Sequence, residues 1–162
     1  MAATFGVSED GARAGVVTFS YYSELSIKLN DHYNQGNFSD AVDRIPLMGH
    51  TTRIDKALRT IQNDMFSIAN GARPGVNKIV IVLTDGSQTN DKDAEDPVQV
   101  AKELRDAGFK VIAIGIGSGV NNTELAGITG DKENVYSAAT FDELIGNDFL
   151  DEVNKKGCEE GK

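Results

Sequence analysis

The stretch of sequence that decides the fold is KIVIVLTDGS, residues 78–87. Residues 78–84 form an almost continuous aliphatic run, and Asp85-Gly86 follows directly. A short run that is apolar on both faces predicts a strand inside a parallel sheet covered by helices. VIAIGI at 111–116 is a second run of this kind. The two runs predict a buried, parallel core.

The segments around these runs predict further strands and amphipathic helices. GVVTF at 15–19 is rich in β-branched residues, and residues 24–29 alternate apolar and polar, as in a half-buried strand. Apolar residues recur at helical spacing in the remaining segments. The predicted helices are 38–45, 54–68, 97–107, 123–128 and 140–154, with a small strand at 134–137.

This order of elements predicts an α/β fold of the Rossmann-like, doubly wound type. We expect a mostly parallel central sheet with helices on both faces and one antiparallel edge strand. The parallel strands are predicted at about 14–19, 78–84 and 110–116, and the antiparallel edge strand at 25–29.

Length and charge narrow the range of functions. The chain has 162 residues, about the size of one domain, and a formal net charge of −9. An acidic chain argues against non-specific binding to nucleic acid, which needs a positive surface. No apolar stretch approaches the roughly 18 residues of a membrane span. The first residues, MAATFG, have no signal-peptide pattern.

Two segments hold candidate metal ligands. In doubly wound folds ligands bind outside the carboxyl ends of the strands, where Asp85 is predicted to lie. The Gly that follows allows a tight turn and a close approach of a ligand. Thr51 and Thr52 lie just before the predicted helix at 54–68. The alternative interpretations are a turn residue for Asp85 and a helix N-cap for the threonines.

Several segments together resemble the von Willebrand factor type A family, and its extracellular matrix branch, which includes matrilins, most of all. The matching segments are RAGVVTFS at 13–20, LND at 29–31, GHTT at 49–52 running into Ala57-Leu58, VLTDG at 82–86 and IGIG at 114–117. They span essentially the whole chain and occur in the family's order.

The resemblance implies a metal-ion-dependent adhesion site that holds Mg²⁺ and binds an acidic residue of a partner. Thr52 matches the family's threonine because it lies five residues before Ala57, and Thr51 is the fallback. Asp85 matches the aspartate of the third metal loop. The implied function is adhesion to an extracellular matrix protein such as collagen, without catalysis, by a secreted protein.

The sequence also departs from the family pattern. No Asp-x-Ser-x-Ser occurs, so the family's first metal loop has no counterpart here. We expect roughly 25–30 residues, a βα unit, to be missing before Phe5. The Mg²⁺ site is therefore expected to be incomplete and binding weak or absent. The domain is predicted over 1–157, with a tail at 158–162. Cys158, the only cysteine, is either a free thiol or pairs outside this sequence.

Two other functions remain as alternatives. A structural matrix module would bind its partners without metal. A nucleotide-binding enzyme is the remote alternative, because GIGSGV at 115–120 follows a strand but has Val120 where the fingerprint needs a third glycine. Sequons at Asn37 and Asn121 add slight support for secretion.

Overall fold

The computed structural model describes residues 6–49 and 51–145. The chain divides into two compact units, Met1–Val76 and Asn77–Lys162. Of the last predicted helix, the described part is the 3₁₀ turn Phe141–Ile145. The rest of that helix, the predicted tail and Cys158 lie outside the described residues.

The first unit contains a β-hairpin and two helices. Strands β1 (Val16–Phe19) and β2 (Ser23–Ile27) pair antiparallel. Helix α1 (Gln35–Asp43) begins three residues before the predicted start, because the Asn34 side chain accepts hydrogen bonds from the first backbone N–H groups. Val7, Ile27 and Phe38 form a buried cluster between these elements.

Helix α2 (Ile54–Thr60) is shorter than predicted. Its α-helical hydrogen bonding gives way to a π-helical turn at Ile61–Met65, and a separate 3₁₀ turn follows at Ile68–Asn70. Ile54 and Leu58 are fully buried, but Ile68, predicted to share their stripe, is 81% exposed. A π turn breaks the 3.6-residue period, so positions beyond it leave the buried face.

In the second unit, residues 77–145 form a three-stranded parallel sheet with two α-helices. Strands β3 (Lys78–Thr84), β4 (Phe109–Ile116) and β5 (Val135–Ala138) lie in the order β3-β4-β5. Helices α3 (Pro97–Asp106) and α4 (Asn122–Thr129) pack against β4 and against each other. Asp96 caps α3 with Pro97 at its first turn, and Asn121 caps α4.

These elements confirm the predicted α/β class and the antiparallel edge strand. Among the described residues, β1 has one ladder, antiparallel to β2, as predicted for the edge strand at 25–29. β3 has β4 as its one described neighbour, and Ile79, Ile81 and Leu83 stay partly exposed. The central strand of this sheet is β4, which is paired on both sides and is buried except at Lys110.

Candidate functional site

The threonine segment in the first unit lies directly before helix α2. The N-cap residue is Arg53, and its side chain makes no capping hydrogen bond. Thr51 and Thr52 are both half-buried. The Thr51 hydroxyl oxygen is buried and has no hydrogen-bond partner. Thr52, in contrast, does have an interaction partner. Thr51 therefore offers an unpaired hydroxyl oxygen next to the start of the helix.

A buried ion pair fixes the backbone next to these threonines. Arg53 and Asp55 are almost inaccessible to solvent. Their side chains meet in a two-pronged contact, Nε to Oδ1 at 2.8 Å and Nη2 to Oδ2 at 2.7 Å. The Arg53 N–H also donates to the Ser20 carbonyl at 3.1 Å. Paired charges in a bidentate geometry are strongly directional, so the pair orients the chain on which Thr52 lies.

In the second unit, Asp85 follows the last residue of β3 and is exposed. The Thr84 hydroxyl donates to the Gly86 carbonyl at 2.8 Å and accepts from the Gly86 N–H at 3.2 Å. This side chain closes the tight turn that the Asp-Gly sequence predicted. The Asp85 carboxylate is thereby held at the carboxyl end of a parallel strand, the usual place for ligand binding in this class.

Two further contacts brace the loop that carries Asp85. The Ser87 hydroxyl donates to the Gly119 carbonyl at 3.2 Å, and the Gln88 N–H donates to Glu124 Oε1 at 3.0 Å. Gly119 packs so closely that a Cβ there would lie 2.6 Å from the Asp85 carbonyl oxygen. Only glycine allows this approach, which explains the glycine that lies one position before the place where the nucleotide fingerprint needs its third glycine.

The donors available for a cation are hydroxyl and carboxylate oxygens, which are the ligands that Mg²⁺ prefers. The unpaired Thr51 hydroxyl and the exposed Asp85 carboxylate fit that chemistry. Residues 6–49 and 51–145 contain no cluster of three or more His, Cys, Asp or Glu side chains that could hold a metal. A cation bound to Asp85 would therefore take its other ligands from hydroxyls, water or partner oxygens. Thr52 belongs to the first unit and Asp85 to the second.

Sequence reasoning missed the residues that support the site. Arg53 and Asp55 are charged residues two positions apart, and such residues usually lie in solvent, yet both are buried. Glu124 has no unusual feature in the sequence beyond its place in the first turn of a predicted helix. Two features of the sequence could have pointed to these residues. Arg53 is a poor capping residue at a helix start, and the third glycine of GIGSGV lies at position 119, where it does not fit the nucleotide fingerprint.

The sequons lie on the surface at helix starts. Asn37 is an exposed residue in the first turn of α1, and Asn121 is the exposed N-cap of α4. No helix of the described residues is long and apolar enough to cross a bilayer.

The parallel sheet, and the aspartate at the end of its first strand, define an α/β ligand-binding module. The family model for the von Willebrand factor type A domain matches residues 1–152, and the chain belongs to that family. The predicted resemblance is therefore confirmed.

Similar proteins include von Willebrand factor A domain-containing protein 2 of Xenopus laevis, 32% identical over 98% of this chain and 19% of that protein. Chicken (Gallus gallus) matrilin-1 is 38% identical over 72% of this chain and 22% of its own length. A solved structure of proximal thread matrix protein 1 from the mussel byssus, with a zinc-occupied MIDAS motif, has a TM-score of 0.83 at 28% identity, covering 94% of this chain and 36% of that one. The chain thus spans about a fifth of the two sequence relatives.

Proposed function

We propose that this chain is an adhesion module that binds an extracellular matrix protein through a divalent cation, with Mg²⁺ as the expected ion. The observation that carries the proposal is the exposed Asp85 carboxylate, held at the end of β3 by a braced turn. Membership of the von Willebrand factor type A family supports it, as does the likeness to matrilin-1 and to a byssal matrix protein. These likenesses also support an extracellular location.

In this proposal Asp85 and Thr52 contribute oxygen ligands, and Thr51 is the fallback for Thr52. The bound cation would link the Asp85 carboxylate to an acidic residue of the partner. Each carboxylate would repel the other without a cation between them, so binding would depend on the ion. The chain carries out no catalytic step in this function. Collagen is the matrix ligand we expect.

The proposal is tested by solid-phase binding to immobilised collagen in Mg²⁺ and in EDTA, with calorimetric titration of Mg²⁺ alone. Asp85→Ala should abolish cation-dependent binding, and Thr52→Ala should weaken it while Thr52→Ser retains it. Asp106→Ala is the matched control, because Asp106 is an exposed aspartate of the same unit that pairs with Lys102 on α3. Binding that is equal in EDTA and Mg²⁺ would contradict the proposal.

The two threonines can be distinguished in the same assay. Thr51 has the unpaired buried hydroxyl, whereas Thr52 matches the family position. A larger loss of Mg²⁺ affinity in Thr51→Val than in Thr52→Val would transfer the ligand role to Thr51. These two variants keep the β-branched shape and remove only the hydroxyl.

A structural module that binds matrix partners without metal is the second candidate. It is favoured by the lack of an acidic or histidine cluster among the described residues. This candidate predicts that the Asp85→Ala and Thr52→Ala variants bind the matrix as well as the wild-type chain, with or without EDTA.

A further inference from the structure

Asn70-Gly71 is the single Asn-Gly pair in the sequence, and it lies where the 3₁₀ turn Ile68–Asn70 ends. An asparagine followed by glycine is chemically labile, because glycine has no Cβ to hinder attack of its backbone nitrogen on the asparagine side chain. The reaction converts the asparagine to aspartate or isoaspartate. The pair is therefore a candidate site of spontaneous modification in the first unit.

Packing requires glycine at position 71. Gly71 is buried and has φ +93°, a left-handed conformation that other residues rarely adopt. A Cβ at this position would lie 2.7 Å from the Asn30 Cβ and 2.7 Å from the Asn30 backbone nitrogen. The fold thus places a glycine directly after Asn70.

The Asn70 side chain has a structural role of its own. Its Nδ2 donates to the Asp64 carbonyl at 2.8 Å. The Asn70 N–H donates to the Ser67 carbonyl at 3.1 Å, which closes the 3₁₀ turn. An ionised aspartate at this position would have no side-chain donor for the Asp64 carbonyl. The folded turn therefore uses both members of the labile pair.

The same turn holds the two groups that react. The Gly71 N–H donates to the Ile68 carbonyl at 3.1 Å, and the Asn70 amide is bound to the Asp64 carbonyl. For the Gly71 nitrogen to reach the Asn70 side-chain carbon, both hydrogen bonds must break. Local opening of a folded chain costs free energy, so the reactive arrangement is rare while the turn is closed.

Two side chains from distant segments stabilise the closed turn. Arg13 Nη1 donates to the Gly71 carbonyl at 2.8 Å, and Asn30 Nδ2 donates to the Ala69 carbonyl at 3.1 Å. The Arg13 guanidinium also lies 5.0 Å from the centre of the Tyr33 ring, which favours this position of the side chain. Removing either donor should therefore raise the population of the open turn.

We propose that Asn70-Gly71 is a deamidation site that the closed turn protects and that reacts when the turn opens. The Gly71 nitrogen bonds to the Asn70 side-chain carbon, and ammonia leaves with the proton of that N–H. Water then opens the resulting succinimide at either carbonyl, which gives aspartate or isoaspartate. Both products add a negative charge and lack the donor for the Asp64 carbonyl, so the modified turn is less stable. The modification thus accumulates in chains whose turn has opened.

The test uses the full chain, incubated at mildly alkaline pH both folded and in urea. Trypsin releases residues 60–78 as one peptide, because Arg73 precedes Pro74. Mass spectrometry of this peptide measures deamidation at Asn70. It also measures deamidation at Asn63, the internal control, which is an exposed asparagine followed by aspartate. An isoaspartate methyltransferase assay quantifies the isoaspartate product.

In urea, Asn70 should deamidate at least about tenfold faster than Asn63, because only Asn70 precedes glycine. In the folded wild-type chain, Asn70 should react at least about tenfold more slowly than in urea. Arg13→Ala and Asn30→Ala should each speed the reaction of the folded chain severalfold and leave the rate in urea unchanged. The matched control Arg44→Ala should change neither rate, because Arg44 is an exposed arginine at the end of α1.

Each part of the proposal has an outcome that overturns it. Equal rates at Asn70 and Asn63 in urea overturn the labile site. Equal rates at Asn70 in the folded chain and in urea overturn its protection by the turn. Wild-type rates in folded Arg13→Ala and Asn30→Ala overturn the role of the two donors. Circular dichroism checks that each variant is folded, and Asn30→Ala alone decides this point if Arg13→Ala does not fold.

The variant Asn70→Asp tests the consequence of the modification. It should lower the urea midpoint of unfolding, because the donor to the Asp64 carbonyl is lost. The matched control Asn63→Asp adds the same charge at an exposed position and should leave the midpoint nearly unchanged. Equal midpoints for the two variants overturn the expected loss of stability.

Discussion

Replacing Asp55 by alanine should strongly destabilise the first unit. Arg53 is fully buried and Asp55 is 1% exposed, and the two make a bidentate contact at 2.7 and 2.8 Å. Removing the carboxylate takes the two-pronged ionic contact away from a buried guanidinium. Breaking such a pair from one side costs about 3–5 kcal/mol. That is a large part of the ~5–15 kcal/mol by which a domain is usually stable.

Urea denaturation followed by circular dichroism measures this loss. The matched control is Asp106→Ala, because Lys102 and Asp106 form an ion pair at 2.6 Å with both side chains more than half exposed. An exposed pair contributes less than about 1 kcal/mol. The milder Asp55→Asn keeps one oxygen for Arg53, so it provides a measurable folded variant if the alanine variant fails to fold.

The double variant Arg53→Met/Asp55→Leu tests the cause. It removes both charges and fills much of the space, so it should be more stable than Asp55→Ala alone. A double variant that is less stable than the single one would refute the reasoning. Equal losses in Asp55→Ala and Asp106→Ala would refute it as well.

Three other variants probe the second unit and the surface. Gly119→Ala should weaken Mg²⁺-dependent binding severalfold, because its Cβ would lie 2.6 Å from the Asp85 carbonyl; unchanged affinity would show that the loop adapts freely. Gly130→Ala should lower the free energy of unfolding in urea by about 1–2 kcal/mol, because Gly130 has φ +75° and its Cβ would meet the Arg105 side chain. The matched control Gly49→Ala should lower it little, since nothing lies within 4 Å of its Cβ. Secretion from a glycosylating cell should add a glycan at the exposed Asn37. The glycan is seen as a mass increase that glycosidase removes and that Asn37→Gln lacks. The same mass before and after glycosidase would contradict this prediction.

Much of the architecture and the candidate site could be predicted from local patterns. The run at 78–84 predicted β3, and the caps Asp96 and Asn121 mark where α3 and α4 begin. These features depend on side-chain periodicity and on residues close in sequence, so the sequence alone contains them. The order of motifs identified the family, and Asp85 lies at the strand end where it was expected.

The sequence could not predict which residues support those features. Arg53 and Asp55 are charged residues of a kind that usually lies on the surface, yet both are buried in the folded chain. The exposure of Ile68 follows from the π turn before it, which the helical spacing did not reveal. The sequence by itself determined the strands, the helix starts and the candidate ligands, because those depend on neighbours along the chain. Tertiary structure decided the buried ion pair, the contact of Gly119 with the Asp85 loop and the contact of Arg13 with the turn at Gly71, because each depends on segments that are distant in sequence and meet only after folding.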